Sequence, residues 1–268
     1  MEKPQTSVAT CFQYDISIEE QLSLIAEAGF SHVSLGVRPE HSGYLDSKRR
    51  IELKACLADT GLEMDSIHAR RLDDSEAITH TSATIRAAAE LGASCVVAHA
   101  GPFHFSSEGI EERLASVLSA CNSLAQLARA TGVVLALENV MPGPATDLVR
   151  RGLQELDPEV FGLCYDSSHD QIDGPRPFDL IDEFRNRIFA VHLSDRIEAH
   201  VDHVIPGEGF ILWSEMCTRL RAAHYAGPAS MEVMMINSRF QEARQFLHEA
   251  NKTAAGTWNL IRTGAVTD

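Results

Sequence analysis

Eight short apolar runs recur along the 268 residues, at roughly 6–11, 32–37, 63–68, 94–99, 133–139, 160–166, 188–193 and 229–234. From the third run onward each ends at or near a His, Asp or Glu: His68, His99, Glu138, Asp166, His192 and Glu232. One polar residue after an apolar run says little. Six in succession, all of metal-ligating type, ask for a fold that gathers the run ends. A parallel sheet closed on itself does so, because every strand points its C-terminal end at the same face.

The segments between the runs agree. Helical stretches end in Gly and pass at once into a run: LIAEAG-FSHVSLGV, CLADTG-LEMDSI, AAAELG-ASCVVAHA, LARATG-VVLALENV and AAHYAG-PASMEV. Gly29, Gly61, Gly92, Gly132 and Gly227 suit the left-handed position just past a helix C-terminus. Strand–helix alternation implies a parallel sheet wound through right-handed crossovers. CVVA and VVLAL lack alternation, as strands covered on both faces should. The first helix starts at Ser17, with Glu20 three residues on completing a capping box. Further helices are predicted near 47–59, 76–91, 108–130, 177–186 and 213–225, with a C-terminal helical segment over 238–262. The long loops all follow runs, which marks one functional face. The expected fold is α/β: a (β/α)8 TIM barrel forming one domain over 1–268, with a C-terminal helical extension.

Charge and composition narrow the partners. The net charge of −15, without a Lys/Arg run, counts against a nucleic-acid binder, which needs a basic stripe for phosphates. No apolar stretch approaches the roughly 20 residues that span a bilayer, and MEKPQTSVATCF lacks the apolar region of a signal peptide. Six cysteines without any C-x-x-C read as buried, reduced thiols of a cytoplasmic protein.

Glu138, Asp166, His192 and Glu232 end the fifth to eighth runs and so face one another across half the barrel mouth. Taken singly, each is best read as a surface carboxylate or a satisfied histidine. Four at consecutive strand ends read as one site. Three converging carboxylates repel, and a divalent cation offsets that cost. Oxygen ligands suit Mg²⁺ or Mn²⁺, and one imidazole also admits Co²⁺, Fe²⁺ or Zn²⁺. His169, three residues past Asp166, returns toward the same site, while His68 and His99 stand on the opposite arc. His203 precedes a Pro-Gly-Glu-Gly loop whose Gly207 and Gly209 permit a tight cover. Asp202 and Glu208 read as loop carboxylates. Phe103, Phe105, Phe210 and Trp213 are candidates for an apolar wall, and Arg38, Arg70, Arg71 and Arg196 for meeting a substrate phosphate.

The LALEN run with Glu138, the Asp166-x-x-His169 pair, VHLSD with His192, IPGEGFILW from Ile205 to Trp213, and Glu232 in GPASMEV resemble the xylose-isomerase-like barrel superfamily. That superfamily groups sugar isomerases and epimerases with DNA-repair enzymes of the endonuclease IV type, and the resemblance runs from about residue 6 to 236. It implies one divalent ion, Mn²⁺, Mg²⁺ or Co²⁺ before Zn²⁺, on Glu138, Asp166, His192 and Glu232. It also implies proton transfer by Glu138 and Glu232, and sugar contacts from His169 and Arg196. In the endonuclease branch, residues like His68, His99, His169 and His203 hold further zinc. There the chain departs from the pattern, with Val201-Asp202-His203-Val204 where that branch has Asp-Arg-His-His. The expected activity is isomerisation or epimerisation of a small keto sugar or polyol, with no nucleic-acid or membrane partner. Two alternatives stand beside it: a metal-dependent hydrolase or lyase, and a non-catalytic sugar-binding subunit. The resemblance also allows a homodimer or homotetramer.

Overall fold

A computed structural model describes residues 2–198 and 201–264. Eight strands alternate with helices: β1 (Thr6–Ala9), β2 (His32–Leu35), β3 (Glu63–His68), β4 (Cys95–His99), β5 (Val134–Glu138), β6 (Phe161–Asp166), β7 (Ile188–His192) and β8 (Ala229–Met231). The helices are α1 (Ile18–Glu27), α2 (Pro39–Ser42), α3 (Ser47–Thr60), α4 (Ala77–Leu91), α5 (Ile110–Thr131), α6 (Pro144–Glu155), α7 (Ser167–Asp170), α8 (Asp179–Glu183), α9 (Trp213–Ala222) and α10 (Ala243–Thr263). Each strand pairs in parallel with its neighbour in sequence from β1 to β7, and β1 also pairs with β8. The seam between β7 and β8 closes through two bonds: Leu193 N–H donates to Ser230 O (2.8 Å) and Glu232 N–H to Leu193 O (3.1 Å). Glu232 therefore stands one residue past β8 with its backbone fixed by the closure itself.

The period of two along each strand decides what faces the lumen. Ser7, Ser34, Ser66 and Ser230 join hydroxyls across it, Ser66 Oγ lying 3.0 Å and Ser7 Oγ 3.3 Å from Ser34 Oγ. Cys95, Val97, Ala136, Cys164 and Ala190 form a small apolar cluster in the other half. Two residues further along the same strands stand His68, His99, Glu138, Asp166, His192 and, past β8, Glu232. Small side chains thus floor the barrel and leave the polar layer above them room to converge. The larger apolar residues, such as Val33, Ile67, Val96, Leu135, Leu163 and Val191, point outward into the layer beneath the helices.

The local signals largely hold. Glu20 N–H donates to Ser17 Oγ (3.3 Å), and Gly29, Gly61, Gly92 and Gly132 all take positive φ. Gly227 does not. The left-handed residue after α9 is His224 (φ 54°), and a β-carbon on Gly227 would collide with the Tyr225 hydroxyl, so this glycine serves a close approach instead. The helix α6 follows a stretch that reads as a Pro- and Gly-rich loop. Pro144 is its first residue, where a missing N–H costs nothing. The helix predicted over 177–186 shrinks to the five residues of α8, and the C-terminal helix begins at Ala243 and packs on its own barrel against β1, β8, α1 and α9. All six cysteines are free, and no described helix is long and apolar enough to cross a membrane.

Gly162 in β6 is a sharp packing constraint. A β-carbon there would stand 2.5 Å from Arg187 O and 2.6 Å from the Phe189 ring, so the strand can lie beside β7 only without a side chain. Gly162→Ala should destabilise the fold by about 1–3 kcal/mol, the usual cost of overpacking. Urea unfolding that matches wild type would contradict this.

Candidate metal centre

Glu138 is the centre of the mouth. It is fully buried at the end of β5, and four imidazoles close on its carboxylate. His68 Nε2 lies 3.0 Å, His192 Nδ1 3.3 Å and His99 Nε2 3.4 Å from Oε2, while His169 Nδ1 lies 3.2 Å from Oε1. Across the seam, His192 Nδ1 is also 3.2 Å from Glu232 Oε2, which places one ring nitrogen between two carboxylates. Glu232 is the most open of the acids, its side chain 13 % exposed. One oxygen or nitrogen from each of Glu138, Asp166, His192 and Glu232 falls within a 4.8 Å cluster.

Three atoms of this cluster are buried without a hydrogen bond of normal geometry: Glu138 Oε1, Asp166 Oδ2 and His192 Nδ1. Buried polar atoms are normally satisfied. Three orphans in one group, two anionic and one able to present a lone pair, fit a divalent cation that all of them would ligate. A second group, His68, His99 and Glu138, shares the central carboxylate.

The electrostatics follow from burial set against neighbours. Burial alone would raise Glu138, but His192 and His99 outweigh it and hold the carboxyl well below the usual range. Glu232 likewise opposes its burial and is lowered, chiefly by His192. Asp166 goes the other way: burial raises it, and the Glu138 charge adds to that. For the imidazoles, burial acts downward but the acids prevail. His169 is raised to about 9 by Asp166 and Glu138. Against its burial, His192 is raised by Cys164, Glu232 and Glu138. The Cys164 thiol beneath it is itself pushed up to about 12 by burial.

Neighbouring residues fix the ligand geometry. Asn139 bonds both backbone groups of Asp166, its Nδ2 donating to the carbonyl (2.9 Å) and its Oδ1 accepting from N–H (2.8 Å). Asp166 Oδ1 caps the short helix α7, accepting from His169 N–H (2.7 Å) and Ser168 Oγ (3.2 Å). His68 Nδ1 lies 2.8 Å from Ala69 O, which turns Nε2 toward the site. His203 holds a left-handed backbone (φ 51°), with Nδ1 2.9 Å from Glu232 O. The rings form a chain around the mouth, edge to face: His68–His99 (4.9 Å between centroids), His99–Phe103 (5.2 Å), Phe103–His169 (5.3 Å) and His169–His203 (5.3 Å).

The other expected site residues separate. Phe103 borders the mouth, whereas Phe105 lies under the Arg113 guanidinium. Arg196 is fully buried: Nε donates to Ser168 O (2.8 Å) and a terminal nitrogen to Asp202 Oδ2 (2.9 Å). It ties the loop after β7 to the loop that carries His169. Asp202, read as a loop carboxylate, is thus its ion-pair partner.

Sequence reasoning gave Asp195 no role, yet it is the pin of the covering loop. Its Oδ1 accepts from Arg196 N–H (2.8 Å) and Ile211 N–H (3.1 Å), and its Oδ2 from Gly207 N–H (2.8 Å) and Trp213 Nε1 (2.8 Å). Gly209 passes so close that a β-carbon would collide with Arg196 O and the Asp195 carboxylate. The only sequence signal was an acid just past VHLS followed by a loop rich in Gly.

Two outcomes follow from this geometry. Asp195→Asn puts a donor against donors and should cost about 3 kcal/mol, with loosening confined to 205–213 in hydrogen exchange; uniform protection would refute the pin. Ligation needs the neutral His192 ring, and the acids beside it favour the protonated one, so Mn²⁺ affinity should climb as pH rises, by up to about tenfold per unit below the titration of that ring. A pH-independent isotherm would exclude His192 from the ligands.

Comparison with known proteins agrees with this architecture. An uncharacterised protein of Sinorhizobium fredii, y4fM, is 23 % identical over 259 residues, covering 83 % of each chain. The crystal structure of a D-tagatose 3-epimerase-like protein superposes with a TM-score of 0.78 at 18 % identity, covering 97 % of this chain and 99 % of that one. The IolI protein, solved with a bound zinc atom, superposes at 0.74 and 17 % identity, with the same coverage. At these identities the structures attest the fold. A family model matches residues 22–250, and the chain belongs to the xylose isomerase-like TIM barrel family.

Proposed function

We propose that this protein is a divalent-metal-dependent sugar isomerase or epimerase that moves a proton beside the carbonyl of a small keto sugar or related polyol. The observation that carries the reading is the pair Glu138 and Glu232. The His192 imidazole lies between them and favours the ionised form of each; Glu138 is central to, and Glu232 on the open side of, a cluster whose orphaned atoms fit a cation. Glu138, Asp166, His192 and Glu232 would hold the ion. When bound, such an ion supplies Lewis-acid polarisation of a carbonyl oxygen.

The protein's own groups then have distinct tasks. An ionised carboxylate is a weak base toward carbon, so it needs an oriented substrate and little competing water. Glu232, the more exposed acid, is positioned to take the proton from the carbon beside the carbonyl. Glu138 relays one back from the His68 ring, 3.0 Å from its Oε2, at the same carbon from the other face for epimerisation or at the next carbon for isomerisation, and Glu232 gives its proton up to solvent. The protonated His169 donates to a substrate oxygen and holds it in place. Phe103, 39 % exposed beside His99 and His169, offers an apolar edge to the sugar's C–H face. The loop pinned by Asp195 excludes water from one side.

The shared group of His68, His99 and Glu138 favours a second reading, hydrolysis at a site with more than one ion. Metal content separates the two: one ion per chain supports proton transfer, two or more support hydrolysis.

With Mn²⁺ present, incubation with a panel of ketoses in D₂O should give metal-dependent deuterium uptake beside the carbonyl, followed by NMR. Glu232→Gln and Glu138→Gln should each lower that rate by at least about 10²-fold while circular dichroism stays unchanged. Near-normal exchange in either variant would end the two-carboxylate scheme.

A further inference from the structure

The four arginines that the sequence offers to an anionic substrate group have different fates. Arg196 is buried against Ser168 O and Asp202. Arg71 Nε lies 3.1 Å from Asp73 Oδ1. Arg70 leans on His80, its terminal nitrogen 3.4 Å from Nε2. Arg38 is exposed and, among the described residues, forms no ion pair with a carboxylate. Its guanidinium carbon stands 4.4 Å from the centroid of the Tyr14 ring. A guanidinium held by its face keeps the N–H donors of its edge free, in the fork that matches a carboxylate or phosphate.

Tyr14 makes this shelf part of the mouth. It lies in the loop after β1, the strand between β8 and β2, and Arg38 follows β2. The ring covers the end of β2 so closely that a β-carbon on Gly36 would stand 2.7 Å from the Tyr14 hydroxyl and 3.3 Å from Cys11 Cβ. His41 braces the ring edge-on at 5.1 Å. Burial raises the Tyr14 hydroxyl above its usual range, with smaller contributions from Cys11 and Glu232. What distinguishes Arg38 is its place: it follows β2 at the barrel mouth and is seated on the Tyr14 ring.

We infer that Arg38, seated on Tyr14, receives an anionic group of the substrate, so that the substrate is an acidic or phosphorylated keto sugar rather than a neutral one. The inference rests on the sugar reading above for the rest of the substrate, but the anion contact can be tested without proton transfer or metal.

Metal-free protein, in low-salt buffer near pH 8, would be titrated calorimetrically with inorganic phosphate and separately with gluconate. Arg38→Met and Arg86→Met, the latter an exposed residue of α4, serve as test and control. At least one anion should bind wild type and Arg86→Met alike, and bind Arg38→Met at least about tenfold more weakly. Tighter binding of phosphate would assign a phosphorylated sugar, and tighter binding of gluconate a sugar acid. Binding unaffected by Arg38→Met, or no binding of either anion to wild type, would overturn the inference. Arg38-dependent binding in a protein that exchanges no ketose proton would support it while counting against the isomerase reading alone.

Discussion

The burial of Glu138 is the interaction on which this site depends. A carboxylate with no exposed surface costs several kcal/mol unless it is paired, and here the pairing comes from imidazoles on four other strand ends or loops. His68, His99, His169 and His192 can reach it only because the lumen below is floored by Ser, Cys and Ala. The same carboxylate would drive away Glu232 and Asp166 were it not for the imidazoles of His192 and His169 between them. Barrel closure, lumen composition and ligand convergence are therefore one constraint seen at three levels.

Rigidity is distributed unevenly around the mouth. On the side of β5 and β6, the Asn139 clamp and the α7 cap lock Asp166 by backbone bonds. On the side of β7, two buried neighbours share the work: Asp195 holds the loop over 205–213, and Arg196, paired with Asp202, ties that side to Ser168. His203 keeps an unfavourable left-handed backbone between these parts, as residues at functional sites often do. The arc from β1 to β4 carries the aromatic and basic groups, Tyr14, Arg38 and Phe103. Ligand chemistry on one arc and substrate shape on the other is a division that the strand order makes available.

Much of this was legible in the chain. Apolar runs that end in His, Asp or Glu marked both strands and site, because a parallel barrel gathers its strand ends at one face; the floor of small lumen residues became visible only in the structure. Four of the five glycines at helix ends were readable because positive φ has so few tenants. Gly227 was not, since its constraint is a tertiary contact with Tyr225 rather than a dihedral. The role of Asp195 was hidden for a related reason: its four donors are mostly backbone groups up to sixteen positions away, and backbone amides carry no sequence signature. Arg196 shows the limit of position alone. An arginine after a strand-end histidine looks like a substrate contact until burial and its partner at Asp202 show where the guanidinium goes.

The direct test of the account is where a cation binds. Crystals grown with Mn²⁺ and measured at the manganese absorption edge should give one dominant anomalous peak among Glu138, Asp166, His192 and Glu232. It should lie within coordination distance of an atom from each, roughly 2.0–2.3 Å. A peak elsewhere, or none at saturating Mn²⁺, would mean that the imidazoles alone satisfy Glu138 and that the cluster is not a metal centre.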